Sequence, residues 1–151
     1  MRLILQRVSS AAVTVDGQTV GAIGAGMLVL AGIEKGDSVD QVEAAADKLT
    51  GLRIFEDAQG RMNLDLQQIG GAILLVSQFT LAGSLAKGRR PSFDRAARPE
   101  TAEPLIEDLA QRLRRRQIPV ETGVFGAHMH VELVNDGPVT FVLDLAPSTD
   151  G

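Results

Sequence analysis

The sequence has no cysteine and only two histidines among its 151 residues. Disulfide bonds and thiol chemistry are therefore excluded. No apolar run approaches the ~18 residues that a membrane-spanning helix needs. The first ten residues, MRLILQRVSS, lack the apolar segment and the cleavage site of a secretory signal. We therefore expect a cytoplasmic protein that does not associate with membranes.

Several common catalytic motifs are also missing. The chain has no P-loop and no G-x-G-x-x-G motif. Ser77 lies in AILLVSQ, which is not the glycine-flanked nucleophile elbow of α/β-hydrolases. Nothing in the sequence links His128 or His130 to Ser77 or Thr80, so a Ser-His-Asp triad is not indicated. Two histidines also fall short of the three protein ligands of a catalytic zinc. We predict neither a metal nor a cofactor.

The composition is that of an ordinary globular protein, with 44% hydrophobic and 23% charged residues. The length predicts a single domain over residues 1–151. The formal net charge is −4, yet more than half of the fifteen Lys and Arg residues lie between Lys87 and Arg116. The segment KGRRPSF groups Lys87, Arg89 and Arg90 in what we call the basic loop. Such a loop can bind phosphates, although charge alone favours a solvated surface loop.

Hydrophobic periodicity predicts about seven strands and two helices. The first helix follows a capping box formed by Ser38 and Gln41, and the second covers roughly Pro99 to Gln117. Two continuous apolar runs, MLVLAGI and GAILLVSQFTL, are typical of buried strands. The other predicted strands are RLILQRV, the two arms of AAVTVDGQTVGAI around an Asp-Gly turn, LRIFED and the segments on either side of a break near the C-terminus. This order predicts an α+β fold with a curved, barrel-like antiparallel or mixed β-sheet.

The break near the C-terminus lies in ELVNDGPVTFVLDL, residues 132–145. Apolar and polar residues alternate on both sides of it, as in strands. Gly137 weakens a strand, and Pro138 cannot donate a hydrogen bond to its neighbour. We therefore predict that the pair separates two strands.

A second informative segment is LLVSQFTLAG, residues 74–83. Ser77, Gln78 and Thr80 stand where a buried strand ends, which is a common place for functional side chains. Alternatively, these side chains only satisfy backbone groups at the strand end.

Taken together, SQFTL at residues 77–81 and NDGPVT at residues 135–140 closely resemble the two signature motifs of bacterial D-aminoacyl-tRNA deacylases. The resemblance extends over nearly the whole chain. It also covers LQRV, LRIFED, GRMN, KGRRPSF and TGVFGAHM.

The resemblance implies a homodimer that hydrolyses the ester of D-aminoacyl-tRNA, and of glycyl-tRNA mischarged on the alanine tRNA. Ser77, Gln78, Phe79 and Thr80 would form the catalytic segment. A cis Gly137–Pro138 bond would enter the pocket of the other subunit and face the chiral centre of the substrate. L-amino acids would then be rejected by collision, whereas glycine, without a side chain, would be accepted.

The resemblance also implies roles for other side chains. Arg7 would hold the Gly-Pro carbonyls, although an edge-strand surface charge is its alternative role. Phe125 and Met129 would contact the substrate. Phe79 and Phe125 are candidates to stack on the terminal adenine, with core packing as the alternative.

Two mechanisms stay open at this point. The tRNA 2′-hydroxyl would assist hydrolysis while the Phe79 N–H stabilises the oxyanion, or Thr80 would act as the nucleophile. A tRNA-binding module without catalytic activity and an esterase for other aminoacyl-tRNAs are the alternative functions.

Overall fold

The computed structural model describes residues 1–147, which contain eight strands and three α-helices. The helices are α1 (Val39–Gly51), α2 (Leu66–Ile69) and α3 (Pro99–Arg115), and a 3₁₀ turn covers Phe79–Ala82. The strands are β1 (Arg2–Val15), β2 (Gln18–Ile23), β3 (Gly26–Gly32), β4 (Phe55–Glu56), β5 (Met62–Leu64), β6 (Ala72–Ser77), β7 (Val120–Thr122) and β8 (His130–Asp144).

The main sheet is mixed and almost closes into a barrel, as the sequence predicted. Its strand order is β2-β1-β3-β6-β7, and β8 pairs with β1. Strand β3 is antiparallel to β1 and parallel to β6, which is parallel to β7. The two ends of the sheet meet at Gly21, where an added Cβ would lie 2.6 Å from the Thr122 oxygen. Only glycine allows β2 to approach β7 so closely.

The two continuous apolar runs are strands buried on both faces. In β3, Val29 belongs to the core beneath the helices, while its neighbour Leu28 points into the barrel interior. In β6, Leu75 likewise belongs to the core beneath the helices, and its neighbour Leu74 points into the barrel interior. Since helices cover one face and the barrel interior fills the other, neither strand shows polar alternation.

Helices α1 and α3 cover the outer face of the sheet. The capping box at Ser38 and Gln41 is present at the start of α1, as predicted. On the solvent side, Arg112 of α3 and Arg116, which directly follows α3, both form salt bridges with Glu43 of α1. Hydrogen bonds from Arg116 and, to a smaller extent, from Arg112 hold the pKa of Glu43 below its usual range. None of the helices within residues 1–147 is long and apolar enough to cross a membrane.

Several predicted element boundaries were wrong. The first strand and the first arm of the hairpin are one strand, β1, which continues from Arg2 to Val15. LRIFED contributes only Phe55–Glu56 to a separate two-stranded sheet. The strand predicted over GAILLVSQFTL ends at Ser77, where the chain turns into the 3₁₀ segment.

The prediction of two strands around the Gly-Pro pair was also wrong. Strand β8 continues through the pair, and both of its halves are antiparallel to β1. Thr140 pairs with Gln6 and Asn135 pairs with Val8, so the residues between Asn135 and Thr140 bulge outwards opposite a single residue of β1. A bulge lets the strand continue although proline cannot join the hydrogen-bonded ladder.

Candidate active site

A cleft of about 690 Å³ lies at the carboxyl ends of the parallel strands β3 and β6. Residues 77–80 form one wall, and residues 125–129 form another. The remaining lining is mostly apolar and includes Ala31, Ile33 and Ile106. The structure therefore brings the predicted catalytic segment together with Phe125 and Met129.

The predicted catalytic segment changes direction at the end of β6. The backbone N–H of Gln78 still donates to the Ala31 oxygen at 2.7 Å, which extends the contact with β3 by one residue. The following 3₁₀ turn places Phe79 and Thr80 at the exposed side of the cleft. The Gln78 side-chain amide donates to the Thr80 hydroxyl at 3.1 Å. Because an amide is not a base, this contact orients the hydroxyl and does not activate it.

The opposite wall is the segment between β7 and β8. Phe125 and Met129 are half-buried there. Met129 occupies space left by Gly123, where an added Cβ would lie 2.6 Å from the Met129 sulfur. His128 and His130 are exposed, and their ring centroids are 5.3 Å apart. Within residues 1–147, no group of three or more His, Cys, Asp or Glu residues is placed to hold a metal ion.

Gly137 and Pro138 do not line the cleft of their own chain. Both residues are exposed at the bulge of β8, and the peptide bond between them is cis. Gly137 has a φ of +154°, and an added Cβ would lie 2.6 Å from a methyl carbon of Val139. This position therefore requires glycine.

Arg7 holds the base of this bulge. The Arg7 side chain is 6% exposed, and its Nε donates to the Asp136 oxygen at 2.8 Å. Its Nη1 donates to the Ile54 oxygen, also at 2.8 Å. The bulge is thus tied to the segment that precedes β4. The first of these hydrogen bonds goes to the carbonyl of Asp136, directly before Gly137 in the chain. Arg7 itself is buried, unlike an edge-strand surface charge.

Asn135 closes the bulge from within and was not among the predicted site residues. Its side-chain oxygen accepts the Val139 N–H at 2.7 Å, and its side-chain nitrogen donates to the Val139 oxygen at 3.1 Å. An asparagine directly before Asp-Gly-Pro was the available signal, because Asn side chains often bond to the backbone of a turn.

The basic loop follows the 3₁₀ turn of the cleft wall in the chain. Lys87, Arg89 and Arg90 are exposed, and within residues 1–147 none of them forms a salt bridge. The base of the loop is held by paired backbone hydrogen bonds between Ser84 and Ser92, at 2.7 and 3.0 Å. The structure thus presents three exposed cations on a loop that is anchored at its base.

Comparison with known proteins gives a consistent result. The family model described as D-Tyr-tRNA(Tyr) deacylase matches residues 4–144. A D-aminoacyl-tRNA deacylase of Geobacter sulfurreducens is 57% identical over 95% of both chains. A D-aminoacyl-tRNA deacylase of Thermomicrobium roseum is 56% identical over all of this chain and 98% of its own.

Solved structures show the same fold. One described as a c-Myc DNA unwinding element binding protein superposes with a TM-score of 0.90 at 38% identity, covering 97% of this chain and 99% of that one. Another, described as a probable eukaryotic D-amino acid tRNA deacylase, superposes with a TM-score of 0.82 at 18% identity, covering 95% and 98%.

Proposed function

Since this chain belongs to the D-aminoacyl-tRNA deacylase family, we propose that it removes D-amino acids and glycine from tRNA by a chiral selection built at a subunit interface. Its enzyme class is that of the family, a hydrolase of aminoacyl-tRNA esters. The observation that carries the proposal is the cleft in which residues 77–80 face Phe125 and Met129.

The position of the Gly137–Pro138 bulge supports a composite site. The bulge is exposed and lies outside its own cleft, so it is free to enter the cleft of a second copy. Within the described residues 1–147, strand β8 pairs with β1 along one side only, and it exposes Val134, Phe141 and Val142 to solvent. An apolar edge strand of this length is usually covered by another chain. A homodimer with two-fold symmetry would bury this strand and complete both sites.

Chiral selection follows from a rigid wall. Arg7 and Asn135 fix the bulge from both sides, so its backbone cannot move aside for a side chain. A wall placed where an L side chain must point would exclude all L-amino acids at once, whereas D side chains of any size would point away. Glycine has no side chain to exclude. Glycyl-tRNA mischarged on the alanine tRNA is therefore included among the proposed substrates.

The chemistry that fits this cleft uses the substrate's own hydroxyl. Within residues 1–147, the Thr80 hydroxyl forms a hydrogen bond with the Gln78 amide alone, and an amide cannot remove the proton. The 2′-hydroxyl of the terminal ribose lies next to the ester and can assist the attack on its carbonyl. The Phe79 N–H belongs to the first residue of the 3₁₀ turn, where N–H groups have no partner within the turn. That N–H is the proposed donor to the developing oxyanion.

The test is the rate of ester loss from D-tyrosyl-, L-tyrosyl- and glycyl-tRNA, compared with the spontaneous rate in buffer. We expect the D-tyrosyl and glycyl esters to be cleaved and the L-tyrosyl ester to be spared. Light scattering should give twice the chain mass of 16.0 kDa. Cleavage of the L ester at the rate of the D ester would contradict the chiral wall, and a fully active monomer would contradict the composite site.

A nucleic-acid-binding protein without catalysis is the second candidate function. It is favoured by the solved relative described as binding a DNA unwinding element, at 38% identity. Tight binding of D-tyrosyl-tRNA without any loss of the ester would support this alternative.

A further inference from the structure

Aromatic side chains are scarce in this chain, which has five phenylalanines and neither tryptophan nor tyrosine. Phe79 and Phe93 are nevertheless in contact with each other at the surface, with their ring centroids 5.1 Å apart and their planes at 63°. Phe79 is 58% exposed and Phe93 is 39% exposed. Large apolar side chains held together in solvent commonly mark a binding surface.

The Phe93 ring is held in a defined position. It lies against Gly83, where an added Cβ would be 2.9 Å from a ring carbon of Phe93. The backbone on both sides is fixed as well: Ser92 pairs with Ser84, and the Ala96 N–H donates to the Phe93 oxygen at 3.0 Å. A ring that is fixed before binding loses little conformational entropy when a ligand stacks on it.

Phe79 and Phe93 connect the cleft to the basic loop. Phe79 lines the cleft, and Phe93 follows the loop that carries Lys87, Arg89 and Arg90. Exposed aromatic rings beside a basic loop are the two components of sites for single-stranded nucleic acid, since rings stack on bases and cations contact phosphates.

We infer that Phe93, supported by Phe79, is a stacking platform for the unpaired 3′ end of the tRNA. This inference rests on the proposed function, which places the terminal ester in the cleft beside residues 77–80. The nucleotide that precedes the terminal adenosine then leaves the cleft across Phe79 and stacks on Phe93. Its phosphates lie towards Arg89 and Arg90. Stacking does not depend on the identity of the base, so the platform adds affinity for any single-stranded end.

The first experiment varies the substrate one nucleotide at a time. The substrates are the D-tyrosyl esters of adenosine, of the trinucleotide CCA, and of a CCA analogue that lacks the middle base. For the wild type, we expect a KM about five- to tenfold lower for CCA than for the abasic analogue, at the low end of what stacking contributes. Phe93→Ala should abolish this difference, and Phe93→Trp should restore it. Val20→Ala, at an exposed position on β2, is the matched control and should keep it.

A second experiment measures binding without catalysis. Because the natural chain has no tryptophan, Phe93→Trp introduces a single fluorophore at the proposed platform. Uncharged CCA should quench its fluorescence, and the abasic trinucleotide should quench it less. Val20→Trp should not respond to either ligand.

The outcomes separate this inference from the proposed function. If the wild type cleaves no D-tyrosyl ester, including that of intact tRNA, the proposed function fails. If the wild type cleaves the CCA and abasic esters with the same KM, and Phe93→Ala changes neither KM, the platform is refuted while the proposed function stands. If Phe93→Ala instead halves the mass measured by light scattering, Phe93 is a contact between subunits, and the platform is again refuted.

Discussion

Replacing Arg7 with methionine should destabilise the protein and weaken its preference for D esters. Methionine keeps most of the apolar volume of the arginine stem but removes both hydrogen bonds of the guanidinium. The Ile54 oxygen would lose its charged donor in a buried setting, which costs about 1–3 kcal/mol. The hydrogen bond to the Asp136 oxygen is only part-buried, so water can replace the donor there, and this loss costs about 0.5–1.5 kcal/mol.

A compensating gain keeps the total loss of unfolding free energy towards the lower end of the sum of these two losses. The Arg7 guanidinium is buried, and its nearest carboxylate oxygens, on Glu56 and Asp136, are 3.7 and 3.8 Å away. Its charge is therefore incompletely paired, and removing it recovers part of the cost of its burial. We expect a net loss of about 2 kcal/mol in the free energy of unfolding.

Urea denaturation at a fixed protein concentration measures this loss, because the stability of the proposed dimer would depend on concentration. Arg53→Met is the matched control: Arg53 also donates to a backbone oxygen, that of Asn63 at 2.7 Å, but it is exposed. We expect the control to lose less than about 0.5 kcal/mol. The ratio of kcat/KM for D-tyrosyl- over L-tyrosyl-tRNA should fall only in the Arg7 variant. An Arg7→Met protein as stable and as selective as the wild type would refute the role given to Arg7.

Three further predictions concern the bulge, the cleft and the basic loop. Gly137→Ala should lower D-over-L selectivity with little change in secondary structure, because the added methyl collides with Val139 and a φ of +154° is strained for alanine; unchanged kinetics of both esters would show that the bulge does not contact the substrate. Thr80→Ala should keep most of kcat if the 2′-hydroxyl assists hydrolysis, and loss of kcat with intact tRNA binding would identify Thr80 as the nucleophile. Replacing Arg89 and Arg90 together with alanine should raise KM for tRNA and reduce the slope of log KM against log salt by about one for each lost phosphate contact; an unaltered slope would assign the loop a structural role.

The sequence by itself determined the features that depend on near neighbours in the chain. The capping box at Ser38 and Gln41 was readable because its two bonds join residues three positions apart. The turn at Asp16 and Gly17, where both residues have positive φ, was readable from the turn chemistry of that pair. The two family motifs identified the enzyme class, because their residues are contiguous.

Only the tertiary structure decided how these local pieces meet. The two halves of β8 looked like separate strands, and they became one because a single long partner, β1, pairs with both. Arg7 looked like an isolated charge in a strand, and its role depends on carbonyls of Asp136 and Ile54 that are distant in sequence. The cleft likewise brings together residues 77–80 and residues 125–129, which lie on either side of α3 in the chain. The Phe79–Phe93 contact joins residues that the basic loop separates in the chain. Periodicity reports which face of an element is buried, but it does not report against which other element. That choice is made by the packing of the whole chain.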